Sequence, residues 1–329
     1  MKLVRADKLD SVADYRLIDA DVPTPARDDV LVEVRACGMG YVDALVALGR
    51  YQVKPSVPFT PGQEIGGVVH ALGDGVTRLR VGDRVMVSSF GGGLAEYVAV
   101  PAQAVQVIPA AMSYVQAAAF RVSYVTALHA LKDRAGLARG ERLLVLGAAG
   151  GVGTAAIQVG RLLGADVIAS ASTPEKRAFA QQHGAQRTID TDPDGWRDRL
   201  KEACGGRGPD VVFDPVCGPL FELAFRSQSW RGRHLVVGFV GGPIPKLPVN
   251  LSLMKGASLV GVDVRQFFLF EAELAQNHVE QLLAWVGEGQ LSPVVGRRFP
   301  LADFAAAMQF ATSGAGSGKT IIEIGDGNV

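Results

Sequence analysis

The sequence predicts an α/β protein with a parallel, doubly wound sheet and a second region of short strands. From residue 142 onwards, short apolar runs alternate with segments of helical spacing, which is the pattern of repeated strand–helix–strand units. Before residue 115, short runs rich in β-branched residues are separated by Gly, Pro and Asp turns. Strands of that length and spacing favour a partly open β-barrel.

The clearest strand–helix–strand unit spans residues 142–172. An apolar run, Leu143–Leu146, is followed by a glycine turn, by a helical segment that Gly164 can end, and by a second apolar run, Val167–Ala169. The turn reads Ala148-x-Gly150-x-x-Gly153, the dinucleotide-binding fingerprint with alanine in its first position.

Small residues are needed in such a turn because the chain bends sharply, its backbone approaches a pyrophosphate, and helix and strand pack closely. The amides at the start of the helix then face the phosphate charge. A glycine-rich turn that binds nothing is the alternative. The predicted pyrophosphate-binding residues are Ala149, Gly150, Gly151, Val152 and Gly153.

The end of the second strand predicts which nicotinamide cofactor is bound. An NAD site usually has Asp or Glu about 20 residues past the fingerprint, where it accepts from the ribose 2′-hydroxyl. Here small hydroxyl residues and then cations follow the strand, and these suit a 2′-phosphate. We therefore predict NADPH, bound by Ser172, Thr173 and Lys176. Glu175 is interpreted as a first-turn charge on a helix that begins at Pro174.

Composition limits the possible classes of protein. The 329 residues are enough for two domains, and 33 cationic side chains balance 33 anionic ones, which gives no reason to expect nucleic acid or an anionic membrane as a partner. No apolar run reaches about 18 residues, and the charged N-terminus does not read as a signal peptide, so we expect a cytoplasmic protein. Cys37, Cys204 and Cys217 form no CxxC pair and are predicted to be free thiols.

Further elements follow from the same patterns. Ser113 can cap a helix that leads into the fingerprint region. The predicted sheet continues with Thr188–Asp190, Val211–Phe213, Leu235–Val237 and Ser258–Val262, with helices at Trp196–Ala203 and Leu220–Trp230. The last part, with helices Glu271–Val286 and Leu301–Thr312 and strands Val294–Phe299 and Thr320–Ile324, is expected to return to the first domain.

Residues 313–320, Ser-Gly-Ala-Gly-Ser-Gly-Lys-Thr, resemble a P-loop. Ser313 stands where the first Gly is required, and the segment runs from helix to strand instead of from strand to helix. We therefore do not predict a nucleoside triphosphate site here.

Four motifs carry a family resemblance: Pro61-Gly62-x-Glu64-x-x-Gly67, Gly82-Asp83-Arg84-Val85, the turn at 148–153, and Gly318-Lys319. In this order along the chain they resemble the medium-chain dehydrogenase/reductase superfamily, and in particular its zinc-free quinone oxidoreductase (zeta-crystallin-like) branch. The resemblance implies a GroES-like, partly open β-barrel catalytic domain, residues 1–118 and 260–329, around an inserted Rossmann NADPH-binding domain, residues 119–259. It also implies an active site in the cleft between the domains, and a homodimer.

The residues argue against a metal. Zinc members of the family have a Cys matching Cys37 and a His after the Pro-Gly pair, where this chain has Gln63, and their four-cysteine loop is replaced by residues 88–93. A lone thiolate cannot supply the three or four ligands that zinc needs, so Cys37 is interpreted as a packed small residue. Without zinc to polarise an alcohol, the expected reaction is hydride transfer to an electron-poor acceptor such as a quinone or an enone.

The resemblance suggests Tyr41 and Tyr51 as residues of the acceptor slot. Quinone reductases usually have Asn where this chain has Gly40, and Tyr where it has Leu45, so the match is incomplete. Tyr41 can donate a proton, or it can simply pack against the barrel. Asp43 is expected to cap the next helix or to pair with a cation.

Other cofactor contacts follow by position in the family. Thr126 matches a threonine near the nicotinamide, and a helix-interior hydroxyl is its alternative role. Gly238, Phe239 and Val240 follow a sheet strand at its carboxyl end, where ligands bind in such sheets. Lys319 matches a basic position that can reach the pyrophosphate.

The sequence thus predicts an NADPH-dependent, zinc-independent reductase of the quinone oxidoreductase type. An enoyl-thioester reductase on the same fold is the second hypothesis. A non-catalytic NADPH-binding sensor or structural protein is the third.

Overall fold

The computed structural model describes residues 1–325 as two compact units. The first unit comprises Met1–Arg121 together with the chain from Leu283 onwards, and the second comprises Val122–Leu282. Residues 326–329, the end of the predicted segment 260–329, lie outside the described residues.

The regular elements of the first unit are β1 (Lys2–Arg5), β2 (Arg16–Asp19), β3 (Asp29–Met39), α1 (Tyr41–Ala47), β4 (Glu64–Leu72), β5 (Arg84–Ser88), β6 (Tyr97–Pro101), β7 (Val105–Val107), α2 (Tyr114–Ala117), β14 (Val295–Pro300), α11 (Phe304–Thr312) and β15 (Lys319–Glu323). Short 3₁₀ turns lie at Val12–Asp14, Ala102–Ala104 and Leu301–Asp303. As predicted, Ser113 caps α2: its hydroxyl accepts from the Gln116 amide at 3.3 Å.

A seven-stranded sheet dominates the first unit, with the order β14-β15-β3-β4-β5-β7 and with β6 paired to β3, and a two-stranded ribbon of β1 and β2 accompanies it. The long strand β3 pairs along one edge with β4, and it pairs with β6 near its start and with β15 near its end. This shared strand belongs to the GroES-like, partly open barrel that the sequence predicts. Its inner face packs apolar side chains such as Val32, Val34, Ile65, Val87 and Ile322.

The elements of the second unit are α3 (Arg121–Leu128, which begins on the last residue of the first), a π-helical turn (His129–Arg134), β8 (Arg142–Val145), α4 (Gly151–Leu162), β9 (Asp166–Ser170), α5 (Pro174–Gln182), β10 (Arg187–Ile189), α6 (Trp196–Ala203), β11 (Val211–Asp214), α7 (Phe221–Ser227), β12 (Arg233–Val236), α8 (Asn250–Lys255), β13 (Ser258–Gly261), α9 (Val264–Phe270) and α10 (Ala272–Gly287). The last helix continues past Leu282 into the first unit.

The second unit is built on a six-stranded, fully parallel sheet in the order β10-β9-β8-β11-β12-β13. The strand order reverses between β8 and β11, the position where open α/β sheets bind ligands beyond the strands' carboxyl ends. The Rossmann-type sheet predicted from the sequence is therefore present. Helix α7 is shorter than the predicted Leu220–Trp230, because the chain leaves the helix after Ser227 and Arg231 takes a φ of 62°.

The boundaries between the two compact units differ from the boundaries of the predicted domains. The first change follows Arg121 instead of residue 118, and the second follows Leu282 instead of residue 259. The parallel sheet ends with β13, the strand predicted at Ser258–Val262, which pairs with β12 close to the predicted boundary. Helix α9 and most of α10 then remain with that sheet.

Candidate active site

The glycine turn between β8 and α4 has the conformation that the fingerprint requires. Gly147 bends the chain with a φ of 58°, and its carbonyl accepts from the Gly150 amide at 3.0 Å. The Thr154 hydroxyl donates to the Gly150 carbonyl at 2.8 Å and fixes the start of α4. Because Gly147 makes the bend, Ala148 is tolerated in the first position of the fingerprint.

The five residues predicted to contact pyrophosphate lie together in this turn and in the first turn of α4. Gly150 is exposed, and a Cβ placed on it would meet only the Gly147 carbonyl oxygen, at 3.5 Å. Gly153 is buried, and a Cβ there would come within 2.3 Å of the same oxygen. The first glycine thus leaves space above the backbone, and the second permits close packing of helix on strand. A phosphate group fits this arrangement because the first amides of a helix have no intrahelical acceptor.

The carboxyl end of β9 carries no acidic side chain in the position that usually binds the ribose hydroxyls. Ser172 is exposed, and Thr173 caps α5 by accepting from the Lys176 amide at 3.3 Å. Helix α5 begins at Pro174 with Glu175 in its first turn, as predicted. The Thr173 hydroxyl and the helix backbone together lower the pKa of Glu175, which identifies it as a first-turn helix charge.

Arg177 braces this segment in a way that the sequence did not reveal. Its guanidinium donates to the Ala171 carbonyl at 3.0 Å and to the Ser172 carbonyl at 3.3 Å. The loop that carries Ser172 and Thr173 is therefore held in place by a cation of the following helix.

A buried hydrogen-bonded pair supports the carboxyl ends of β11 and β12, and sequence reasoning missed it. The His234 Nε2 atom lies 3.0 Å from the Asp214 Oδ2 atom, and both side chains are fully buried. The other oxygen, Oδ1, accepts from the amides of Val216 and Cys217 at 2.9 and 2.8 Å. Cys217 is thereby held at a φ of 45°, a left-handed conformation that is uncommon outside glycine.

The predicted residues Gly238, Phe239 and Val240 follow β12 at the same edge of the sheet as the fingerprint turn. A Cβ on Gly238 would lie 3.0 Å from the Pro215 carbonyl oxygen, so this loop packs against the loop after β11. Phe239 is 44% exposed and Val240 47% exposed. Two apolar side chains thus lie on the surface at the ligand-binding edge.

Thr126 lies in α3 and is buried, in agreement with its placement on a helix. One turn later the chain enters the π-helical turn, where the His129 Nδ1 atom lies 2.8 Å from the Asp133 Oδ2 atom. The His278 Nε2 atom lies 2.8 Å from the same oxygen. Phe267 stacks on His129 with a centroid separation of 3.8 Å. This cluster joins α9 and α10 to the π-helical turn.

In the first unit, Tyr41 is the first residue of α1 and is half-buried. Tyr51 is also half-buried and packs against the apolar core of the barrel. Asp43 has both roles expected of it: its carboxylate accepts from the Gly40 amide at 2.7 Å, and it lies 3.7 Å from the Lys319 ammonium.

Lys319, the residue predicted to reach the pyrophosphate, lies among buried carboxylates. Lys319 is only 8% exposed, and its Nζ atom lies 2.8 Å from the Glu64 Oε2 atom. Burial alone would lower the pKa of Lys319, but Glu64 and Asp43 outweigh it and raise the pKa above its usual value of 10.5. Lys319 is therefore the cation of a buried cluster, and its contact with the pyrophosphate stays a prediction.

The residues around Cys37 do not fit a zinc ion. Its thiol is fully buried, lies against the backbone of Gly62 and Gly93, and has a pKa raised well above 9.0, chiefly by burial. Within residues 1–325, no three His, Cys, Asp or Glu side chains come together in a way that could hold a metal ion. All three cysteines are free and buried.

In the same residue range, no helix has both the length and the apolar composition that a bilayer span requires.

The chain matches two protein families, one over the barrel and one over the parallel sheet. Residues 26–110 match the alcohol dehydrogenase GroES-like domain, and residues 151–287 match the zinc-binding dehydrogenase family. Both belong to nicotinamide-dependent oxidoreductases, so barrel, parallel sheet and phosphate turn together define an NAD(P)-dependent oxidoreductase.

Individual relatives narrow this class. The chain is 37% identical over 296 residues to quinone oxidoreductase-like protein 2 homolog of Nematostella vectensis, covering 89% of this chain and 81% of the relative. It is 34% identical over 306 residues to human quinone oxidoreductase, covering 92% of each. The solved quinone oxidoreductase of Thermus thermophilus, whose structures include a complex with NADPH, has a TM-score of 0.85 and 34% identity, covering 98% of this chain and 100% of that one. This chain belongs to the quinone oxidoreductase branch of the medium-chain dehydrogenase/reductase superfamily.

Proposed function

We propose that the protein is an NADPH-dependent, zinc-independent reductase that delivers hydride to a quinone or to another electron-poor carbonyl or enone. The observation that carries the cofactor preference is the carboxyl end of β9, where Ser172 and Thr173 stand in place of an acid and Lys176 follows in the first turn of α5. The named activity of the human and Thermus relatives supports the acceptor class.

The residues of the second unit are proposed to hold the cofactor. The backbone around Gly150 receives the pyrophosphate, and the hydroxyls of Ser172 and Thr173 with the Lys176 ammonium receive the 2′-phosphate. Phe239 and Val240 present apolar surface at the same edge of the sheet. Thr126 is proposed to contact the cofactor near the nicotinamide. When bound, the reduced nicotinamide supplies the hydride of the reaction.

Tyr41 and Tyr51 are proposed to contact the acceptor. A quinone that accepts a hydride also needs a proton, and the Tyr41 hydroxyl or water is the proposed donor. The protein's contribution is orientation of the reactants and exclusion of water. Zinc plays no part in this proposal, because Cys37 lies buried among glycines and, within residues 1–325, no set of side chains that could hold a metal ion surrounds it.

We also propose that the protein forms a homodimer through the second unit. Strand β13 is an edge strand of the parallel sheet, and its Leu259 is 46% exposed. An open sheet edge with apolar side chains readily pairs with another chain.

An acceptor screen that follows NADPH absorbance tests the proposed function. We expect oxidation of NADPH with a benzoquinone or naphthoquinone, slower oxidation with NADH, and unchanged rates after treatment with a zinc chelator. Oxidation with an enoyl thioester but with no quinone would instead support the second hypothesis. Tight NADPH binding without oxidation by any acceptor would support a sensor or structural protein.

A further inference from the structure

The first unit contains a buried cluster of charged side chains whose members are far apart in sequence. Lys319 and Glu64 are 255 residues apart, and their charged atoms lie 2.8 Å from each other. Asp43 is the third member, with its carboxylate 3.7 Å from the ammonium. All three side chains are at least nine-tenths buried.

The cluster acts on the start of α1 through Asp43. One oxygen of this carboxylate accepts from the Gly40 amide at 2.7 Å, and the other accepts from the Gln63 amide at 3.3 Å. Gly40 is the residue immediately before α1, and Tyr41 is the first residue of the helix. The cluster therefore connects the backbone that presents Tyr41 to β4 and β15.

Lys319 and Asp43 together crowd the space beside Gly40. A Cβ placed on Gly40 would lie 2.9 Å from the Lys319 Nζ atom and 3.2 Å from the Asp43 Oδ2 atom, both tight contacts, but 3.6 Å from the Lys319 Cε atom, which is an ordinary contact. A Cβ on Gly38 would meet the Ala118 carbonyl at 1.9 Å and the Lys319 Cε atom at 3.1 Å. The ammonium thus lies directly under the loop that leads into α1.

We propose that Lys319, Asp43 and Glu64 are positioning residues that fix the first turn of α1, and with it Tyr41, for the acceptor. The proposal rests on the proposed reductase function. Removing the ammonium leaves two buried carboxylates without their cation, and removing the Asp43 carboxylate takes away the hydrogen bonds to the Gly40 and Gln63 amides, so the arrangement of the loop depends on the cluster. The glycine at position 40 belongs to the same arrangement, because the Lys319 ammonium lies close to where the side chain of another residue would begin.

The sharpest test is Lys319→Met, because methionine has the same number of side-chain atoms as far as Cε, with sulfur in place of Cδ, and lacks the ammonium. We expect the acceptor KM to rise about tenfold or more while the Kd for NADPH, measured by fluorescence, changes less than about twofold. Lys319→Arg keeps the positive charge, so most of the rise in the acceptor KM should be absent in this variant. The exposed Lys201→Met serves as the matched control and should leave both quantities unchanged.

Two further measurements test whether the cluster fixes the first turn of α1, and they do not depend on the lysine variant alone. Amide hydrogen exchange of residues 40–47 should be faster in Lys319→Met, or in Asp43→Asn if the lysine variant fails to fold, while exchange in α4 stays unchanged. Gly40→Ala should lower kcat/KM in the wild-type background and have a smaller effect in Lys319→Met, because the contact at 2.9 Å is then absent while the contact with the Asp43 Oδ2 atom, at 3.2 Å, remains.

The proposal fails if Lys319→Met weakens NADPH binding and leaves the acceptor KM unchanged, since Lys319 would then be a pyrophosphate ligand. Unchanged exchange at residues 40–47 would also overturn it. Failure of the proposed function would look different: the wild-type protein would bind NADPH and oxidise it with no acceptor, whereas the exchange result would still decide the role of the cluster.

Discussion

At the scale of single residues, Gly150 and Gly153 serve different purposes although both lack a Cβ. Gly153 faces the Gly147 carbonyl oxygen inside the protein, so its small size is required for packing. Gly150 faces outward with an ordinary φ of −74°, so the folded protein itself leaves room for a methyl group there. We propose that its small size instead serves the approach of the cofactor.

This difference predicts two distinct phenotypes. Gly153→Ala should destabilise the protein by about 1–3 kcal/mol, the usual cost of overpacking a tight contact, and should weaken NADPH binding as a consequence. Gly150→Ala should change the free energy of unfolding by less than about 1 kcal/mol and still weaken NADPH binding. Urea unfolding combined with cofactor titration separates the two effects. Equal losses of stability in both variants would contradict this assignment.

Lys176 is the residue proposed to bind the 2′-phosphate of NADPH through its charge. Lys176→Ala should weaken NADPH binding by roughly 1–3 kcal/mol, the range for a charge-assisted hydrogen bond, and should scarcely affect NADH. Fluorescence titration with both cofactors measures this, with the exposed Lys201→Ala as the control. If both cofactors lost affinity equally, Lys176 would not contact the 2′-phosphate.

At the scale of elements, the cluster of His129, Asp133 and His278 holds the π-helical turn, α9 and α10 together. Two imidazoles share one carboxylate oxygen, and Phe267 from α9 stacks on one of them. Burial is the largest influence on His278 and lowers its pKa below the usual 6.5, although hydrogen bonding to Asp133 acts in the opposite direction.

The lowered pKa predicts how stability depends on pH. Below about pH 6.5 the unfolded chain binds a proton at His278 that the folded chain binds less readily, so the free energy of unfolding falls as the pH is lowered. Above that pH the group contributes no pH dependence. His278→Gln should show a smaller difference in urea-derived stability between about pH 7.5 and about pH 5.5 than the wild type.

The exposed His70→Gln is the control for this experiment and should keep the wild-type difference. An unchanged difference in His278→Gln would mean that other groups cause the acid sensitivity. His183, whose pKa burial also lowers, would then be the next residue to replace.

At the scale of the whole molecule, the open edge of the six-stranded sheet predicts self-association. Val249, Leu253 and Met254, in and just before α8, are strongly exposed, and Leu259 lies on the edge strand itself. We expect light scattering to give about twice the chain mass of 34.6 kDa. Leu259→Lys should shift the protein toward the monomer, whereas Val81→Lys, at an exposed apolar residue of the first unit, should not. A monomeric wild-type protein would contradict the proposal.

Much of the fold was predictable because its signals are local. The phosphate turn, the cap at Ser113, the helix start at Pro174 and the alternation of apolar strands with helices all depend on neighbouring residues, and the structure contains each of them. The compact units change over at Arg121 and Leu282 and not at residues 118 and 259, because α9 and most of α10 stay with the parallel sheet, and no local pattern in the sequence marks such packing.

The sequence by itself determined the class of protein, since a phosphate turn needs only a few small residues at fixed spacing between a strand and a helix. It also determined that the position of the usual ribose acid is filled by small hydroxyl residues. Only the tertiary structure decided the partners of Lys319, because a charge acquires its partner from whatever the fold brings beside it. The same holds for Asp214 with His234 and for Asp133 with His278: their hydrogen bonds join residues from separate elements, and spacing along the chain carries no record of such contacts.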